Sequence, residues 1–149
     1  MLDLVVTDNV QLNDNYFLLK LTTSDKSEIP EALHGQFVEV KVDNSPTTFL
    51  RSPISVNFID KATNELWLLV QKIGDGTRKM CEYKKGDIVN LLLPLGNYFT
   101  LPENTDQEFL LIGGGVGTAP MLYLGSWMKE KGFTPNFLLG ARLKADVLQ

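Results

Sequence analysis

Apolar and polar residues alternate in short runs over the first two thirds of the chain, and the runs are separated by turn-forming residues. "LVVTDNV", "NYFLLKLTT", "QFVEVKV", "ISVNFID", "ELWLLVQKI" and "DIVNLLLPL" are rich in β-branched and aromatic residues, while Asp, Asn, Ser, Gly and Pro collect between them. In "QFVEVKV" a period of two puts Val38, Val40 and Val42 on one face and Glu39 and Lys41 on the other. Six such strands with no long helix between them predict an antiparallel sandwich or small barrel. One short helix is expected from about Thr77 to Tyr83.

The pattern changes after "LPENTDQE", a polar stretch that reads as a linker. "FLLIG" is wholly apolar, like a strand buried on both faces. Glycines follow, then "APMLYLGSWMKEKG", in which Met121, Leu122, Leu124 and Met128 recur at helical spacing and Gly132 supplies a stop. "PNFLLGA" is a second strand, which completes a β-α-β unit. The expected division is a β-domain over residues 1–101 and the opening of an α/β domain over residues 102–149.

Composition narrows the class. Of 149 residues, 44% are hydrophobic and 21% charged, a globular balance. The net charge of −4 gives no basic excess for nucleic acid or an anionic membrane. No apolar run approaches a bilayer span and the opening residues lack an export signal, so a cytoplasmic protein is expected. Cys81 is the single cysteine, which excludes an intrachain disulfide and a cysteine cluster for metal.

Three stretches carry candidate chemistry. "GGGVGTAP" holds Gly113, Gly114, Gly115, Val116, Gly117 and Thr118 between a strand and a helix, where glycines admit a diphosphate to the helix N-terminus. Pro120 stands where the dinucleotide fingerprint has Gly or Ala, and no Lys-Ser or Lys-Thr follows, so a nucleoside-triphosphate loop is excluded. A tight turn without ligand accounts for the same residues. "KIGDGTRKM" reads either as a hairpin turn at Asp75-Gly76 or as a second helix start with Gly76 and Thr77 facing an anion. In "FLRSPISV", Pro53 and Ser55 fit plain strand-edge chemistry, or Arg51 meets phosphate while Ser55 bonds a planar ring. His34 reads as a surface turn residue, Trp67 as packing, and Arg142 as a solvated cation or a contact to adenosine ribose or phosphate.

The order "RSPIS", "GDGT", "KKGDIVNLLLPLGNYF", "GGGVGTAPM" resembles the ferredoxin-reductase superfamily of flavoproteins, and within it the electron-transfer subunits of class 1B dihydroorotate dehydrogenases. That resemblance implies a six-stranded antiparallel barrel holding FAD, followed by the start of an α/β nucleotide-binding domain. The family's Arg-Pro-Ile/Leu-Ser motif falls on Ser52, Pro53, Ile54 and Ser55, with serine replacing the motif arginine and Arg51 as its basic neighbour. Leu69, Val70 and Gln71 would line the flavin, Gly76 and Thr77 would take its diphosphate, and residues 113–118 would receive NAD(H). Such subunits pass electrons through a [2Fe-2S] cluster to an FMN-containing catalytic subunit in a heterotetramer, serving pyrimidine biosynthesis. The family's cluster cysteines are absent here, and its members run on by about another hundred residues, the size of a whole α/β domain, so the chain is expected to be a first part. A NAD(P)H-dependent flavin or ferredoxin reductase of another complex, and a non-catalytic barrel module, are the alternatives.

Overall fold

A computed structural model describes residues 1–45, 47–101, 103–104 and 106–148. Six strands, β1 (Leu2–Gln11), β2 (Tyr16–Thr23), β3 (Phe37–Val40), β4 (Ser52–Asp60), β5 (Glu65–Gln71) and β6 (Ile88–Leu95), close into an antiparallel barrel in the order β1-β2-β5-β4-β3-β6. The period-two runs build it: Leu4, Leu19, Leu21, Val38, Val40, Val56, Leu66, Leu68 and Leu91 are all fully buried inside. Val42, just past β3, is buried with Val38 and Val40, so those valines share the inner face as expected.

The short helix α1 (Asp75–Met80) follows β5, starting two residues before the expected position and ending three before it. Asp75-Gly76 therefore opens a helix and is not a hairpin turn. Beyond the barrel, β7 (Phe109–Gly114) and β8 (Pro135–Gly140) pair in parallel, joined by a 3-10 turn at Gly115–Thr118 and the helix α2 (Met121–Glu130). Leu111, Met121, Leu124, Met128 and Phe133 form their own small core between sheet and helix. No described helix is long and apolar enough to cross a membrane.

Two expectations are corrected. Among the described residues β7 is covered on one face only: Leu111 is buried against α2, while Leu110 and Ile112 are 57% and 66% exposed. Leu138, opposite Ile112 in the register, is also bare, so this face of the sheet is an open apolar surface. His34 is 2% exposed and is not a surface residue. Its ring lies 4.5 Å from that of Trp127 on α2, with Phe99 and Tyr98 completing an aromatic box.

The α/β unit is tied to the barrel by polar contacts. Asn57 on β4 donates its side-chain amide to the Ala119 carbonyl at 2.6 Å, and the Tyr123 hydroxyl on α2 donates to the Ala32 carbonyl at 2.8 Å. After β8 the chain returns to the barrel, where Asn13 and Asn15 donate to the Ala145 carbonyl and the Asp146 carboxylate at 3.0 and 2.9 Å.

Candidate functional site: a strand gap facing a glycine turn

The β4–β5 ladder is incomplete. It runs from Asp60↔Glu65 to Val56↔Leu68 and stops there. Residues Ser52 to Ser55 of β4 continue paired with β3 alone, and Leu69 to Gln71 of β5 continue paired with β2 alone. The two strands thus part, leaving a slot whose walls are the two stretches the sequence singled out. Backbone polar groups along such a slot need water or a ligand as partners. Pro53, which has no N–H, is tolerated because β4 has a strand on only one side there.

At the end of the slot lies the start of α1. Gly76 is buried, and a Cβ built on it would lie 3.0 Å from Ser52 Oγ and 3.1 Å from Thr48 Oγ1. The helix start is therefore pressed against two hydroxyls, which would have to give way to any larger residue. Thr77 spends its own hydroxyl locally: it accepts from the Ile73 and Gly74 amides at 3.0 Å each and donates to the Gly74 carbonyl at 3.1 Å. What remains for an anion is backbone N–H at the helix start together with the Thr48 and Ser52 hydroxyls. Thr47 is hydrogen-bonded to the Asp75 carboxylate, which also lies 3.5 Å from Arg78.

Arg51 does not join this group. Its guanidinium turns to the outer edge of β3 and β6, donating to the Asn90 side chain at 2.5 Å and to the Asn90 and Glu39 carbonyls at 3.2 and 3.3 Å. The basic residue beside the motif is thus committed elsewhere, and the hydroxyl of Ser52 faces α1 in its stead.

The second glycine turn stands over the same side of the barrel. Ala119 packs with Tyr16 and Leu69, and Leu69 belongs to the slot wall. Added Cβ atoms at Gly114 and Gly117 would meet nothing within 4 Å, so there is open space above the turn. At Gly113 a Cβ would lie 3.0 Å from the Thr118 Cα and 3.2 Å from the Gly117 carbonyl, both backbone atoms. The turn is compact below and open above, as a diphosphate cradle at a helix N-terminus requires. Tyr16 and Asn57, which seat this turn on the barrel, were not singled out in the sequence. Tyr16 opens β2 and Asn57 sits at a register irregularity of β4 between Val56 and Phe58, and only their remote contacts mark them.

Other features lie apart. A cavity of about 620 Å³ between the β2–β3 connection, the β4–β5 hairpin and Tyr123 is lined by Lys26, Glu28, Glu31 and Lys61 and shares no residue with either glycine turn. Arg142 lies just beyond β8, outside the slot. Trp67 packs on Phe58 at 5.4 Å with Lys20 above its ring at 4.1 Å, which makes it a packing residue. Cys81 is half-buried against the barrel core, and burial raises its thiol pKa. Among the described residues no group of three or more His, Cys, Asp or Glu is placed to hold a metal, and the side chains present do not fit an iron–sulfur cluster.

A closed six-stranded barrel followed by a β-α-β unit is the fold of ferredoxin-reductase-like flavoproteins. The chain superposes on an NADH-dependent reduced ferredoxin–NADP oxidoreductase, a structure described for flavin-based electron bifurcation, with a TM-score of 0.81 and 27% identity over 100% of this chain and 51% of that one. The same fold is found in phthalate dioxygenase reductase, with a TM-score of 0.81 and 20% identity over 97% of this chain and 45% of that one, and in the FAD/NAD-binding domain of a Vibrio cholerae nitric oxide dioxygenase, with a TM-score of 0.80 and 18% identity over 97% of this chain and 64% of that one. No family model matches the sequence.

Its curated homologues are more specific. The chain is 31% identical over 146 residues to the electron transfer subunit of dihydroorotate dehydrogenase B (NAD(+)) of Fusobacterium nucleatum, covering 97% of this chain and 56% of that protein. It is 39% identical over 114 residues to the subunit of the same name from Shouchella clausii, covering 76% of this chain and 44% of that protein. The chain is thus a homologue of the electron-transfer subunits of NAD-dependent dihydroorotate dehydrogenase, and it spans about half the length of the relatives it matches.

Proposed function

We propose that this chain forms the FAD- and NAD(H)-binding part of an electron-transfer subunit that exchanges electrons with an FMN-containing dihydroorotate dehydrogenase catalytic subunit. The single observation that carries this reading is the parting of β4 and β5 beneath a glycine turn held to the barrel by Asn57 and Ala119. One planar cofactor and one dinucleotide can then meet edge to edge. Residues 1–101 would serve the flavin and residues 102–149 the dinucleotide.

In this reading Ser52, Pro53, Ile54 and Ser55 form one wall of the flavin slot, and Leu69, Val70 and Gln71 the other. Backbone N–H groups at Gly76 and Thr77, with the Thr48 and Ser52 hydroxyls beside them, take the flavin diphosphate. Residues Gly113 to Thr118 take the diphosphate of NAD(H). Arg51 holds the outer strand edge and gives the phosphates no fork of donors. When bound, FAD supplies the exchange between hydride-pair and single-electron chemistry. The side chains of this chain provide shape, hydrogen bonds and exclusion of water.

Titration of the purified chain with FAD tests the reading. A yellow complex absorbing near about 450 nm, as flavins do, and bleached by NADH under anaerobic conditions supports it. A colourless protein that retains no FAD at any concentration rejects it. The likeness to a ferredoxin–NADP oxidoreductase at 27% identity motivates a second reading, a reductase serving another acceptor. Reconstitution with the FMN subunit of a relative separates the two: NAD-linked dihydroorotate oxidation restored by the chain favours the first, and reduction of ferredoxin alone favours the second.

A further inference from the structure

The aromatic ring beneath the glycine turn carries a polar atom that the fold leaves unused. Tyr16 opens β2 and stands opposite Gln71, the last residue of β5, so it lies at the mouth of the slot. The side chain is 1% exposed, its ring packed between Leu69 of the slot wall and Ala119 beyond the turn. Its backbone amide is bound by Asn13 Oδ1 at 3.0 Å, but its hydroxyl has no hydrogen-bonding partner among the described residues. That hydroxyl is not sealed in, because the enclosed side-chain atoms without partners are Asn9 Oδ1 and His34 Nδ1 alone among the described residues. A Cβ added to Gly115, whose φ is +56°, would lie 3.6 Å from the hydroxyl oxygen, so the oxygen points up at the first residue of the turn.

A buried ring that brings its one polar atom to an opening, unpaired within the protein, leaves that atom for water or a ligand to pair. We propose that Tyr16 is a positioning residue whose hydroxyl donates a hydrogen bond to the nicotinamide–ribose half of a pyridine dinucleotide, between the glycine turn and the flavin slot. This deepens the functional reading above and rests on it. Two observations select that half of the ligand over the diphosphate. Tyr16 borders the slot through Gln71 and Leu69, where a nicotinamide ring must arrive to meet a flavin. The Asp146 carboxylate is held at 2.9 Å by Asn15, the residue before Tyr16, and a carboxylate there disfavours a phosphate while leaving uncharged ribose and carboxamide groups unopposed.

The test is Tyr16→Phe in the whole chain, which removes the oxygen and keeps the ring that supports the turn. Binding of NADH and of ADP is measured by titration, with circular dichroism and thermal midpoint as fold controls. The expected result is a rise of about 2- to 10-fold in Kd for NADH, the worth of one neutral hydrogen bond, with Kd for ADP unchanged. Unchanged NADH affinity overturns the proposal. Equal weakening of NADH and ADP also overturns it, because the hydroxyl would then serve the shared diphosphate or only the shape of the turn. If Tyr16→Phe lowers the thermal midpoint, the titrations are repeated at a temperature where circular dichroism shows the variant fully folded, and NADH affinity equal to wild type there overturns the assignment. Wild-type chain that binds FAD but discriminates in no way between NADH and ADP removes the role of Tyr16 and leaves the flavin site standing. Wild-type chain that binds neither FAD nor NADH removes both.

Discussion

Asn57 and Ala119 meet through a buried hydrogen bond, side-chain amide to carbonyl at 2.6 Å, that fastens the end of the glycine turn to the barrel wall. Asn57 lies at the irregularity between Val56 and Phe58 where the β4–β5 ladder shifts register, so this contact joins the turn to the barrel beside the slot. Replacing Asn57 with Leu leaves the Ala119 carbonyl without its partner. The expected cost is about 1–3 kcal/mol of stability, read from denaturant unfolding, with earlier proteolysis of the segment after residue 101 than of the barrel. Cleavage and unfolding like wild type would show that the fastening lies elsewhere.

Gly113→Ala is expected to damage the turn itself. The added methyl would approach the Thr118 Cα to 3.0 Å and the Gly117 carbonyl to 3.2 Å, and backbone cannot rotate away as a side chain can. Overpacking of this kind costs about 1–3 kcal/mol, and pyridine-nucleotide binding should be lost while FAD uptake by the barrel persists. Parallel titrations with the two cofactors measure this. Equal loss of both would mean the two sites fold as one unit.

Ser52→Arg tests the hydroxyl group that faces α1. A guanidinium there adds charge-assisted hydrogen bonds to a diphosphate at Gly76 and Thr77, each worth about 1.5–3 kcal/mol. FAD affinity should tighten about tenfold or more, and the gain should shrink with salt. Unchanged affinity in equilibrium dialysis would remove α1 from the diphosphate site, since Arg51 is already held by Asn90.

His34 gives the fold a pH dependence. Its ring is enclosed by Trp127, Phe99 and Tyr98, its Nδ1 has no partner among the described residues, and burial lowers its pKa from 6.5. The unfolded chain therefore takes up the proton first as pH falls. The contribution of the neutral ring is fully present above about pH 6.5 and is lost progressively as pH drops toward and through the depressed value, with a slope of at most about 1.4 kcal/mol per pH unit. Unfolding free energies at pH 7.5 and 5.5 should diverge for wild type and run closer together for His34→Phe. Identical slopes in both proteins would contradict this.

The barrel was legible because its strands are amphipathic: Val38 and Val40 inward, Glu39 and Lys41 outward is a statement about a surface with two sides. The glycine turns were legible because glycine at a strand-to-helix junction has few structural substitutes. His34 was not, because Gly35 beside it is a local turn signal, whereas its burial comes from Phe99 and Trp127, far along the chain. Leu110, Ile112 and Leu138 have the composition of a doubly covered sheet, and the described residues cover one side of it. The parting of β4 from β5 left one local trace, Pro53, and it fits plain strand-edge chemistry equally well. Ser55 and Leu69 look like ordinary strand residues, and only the missing ladder between them makes a slot.

That missing ladder leaves the barrel's circumference with a seam, closed by neighbouring strands on either flank but by no bond across it. A flat molecule wedged into the seam would complete the girdle, so uptake and folding share one free energy. Saturation at a hundredfold excess over Kd would add about 2.7 kcal/mol to unfolding, which would make the melting temperature of this chain a gauge of how much cofactor surrounds it.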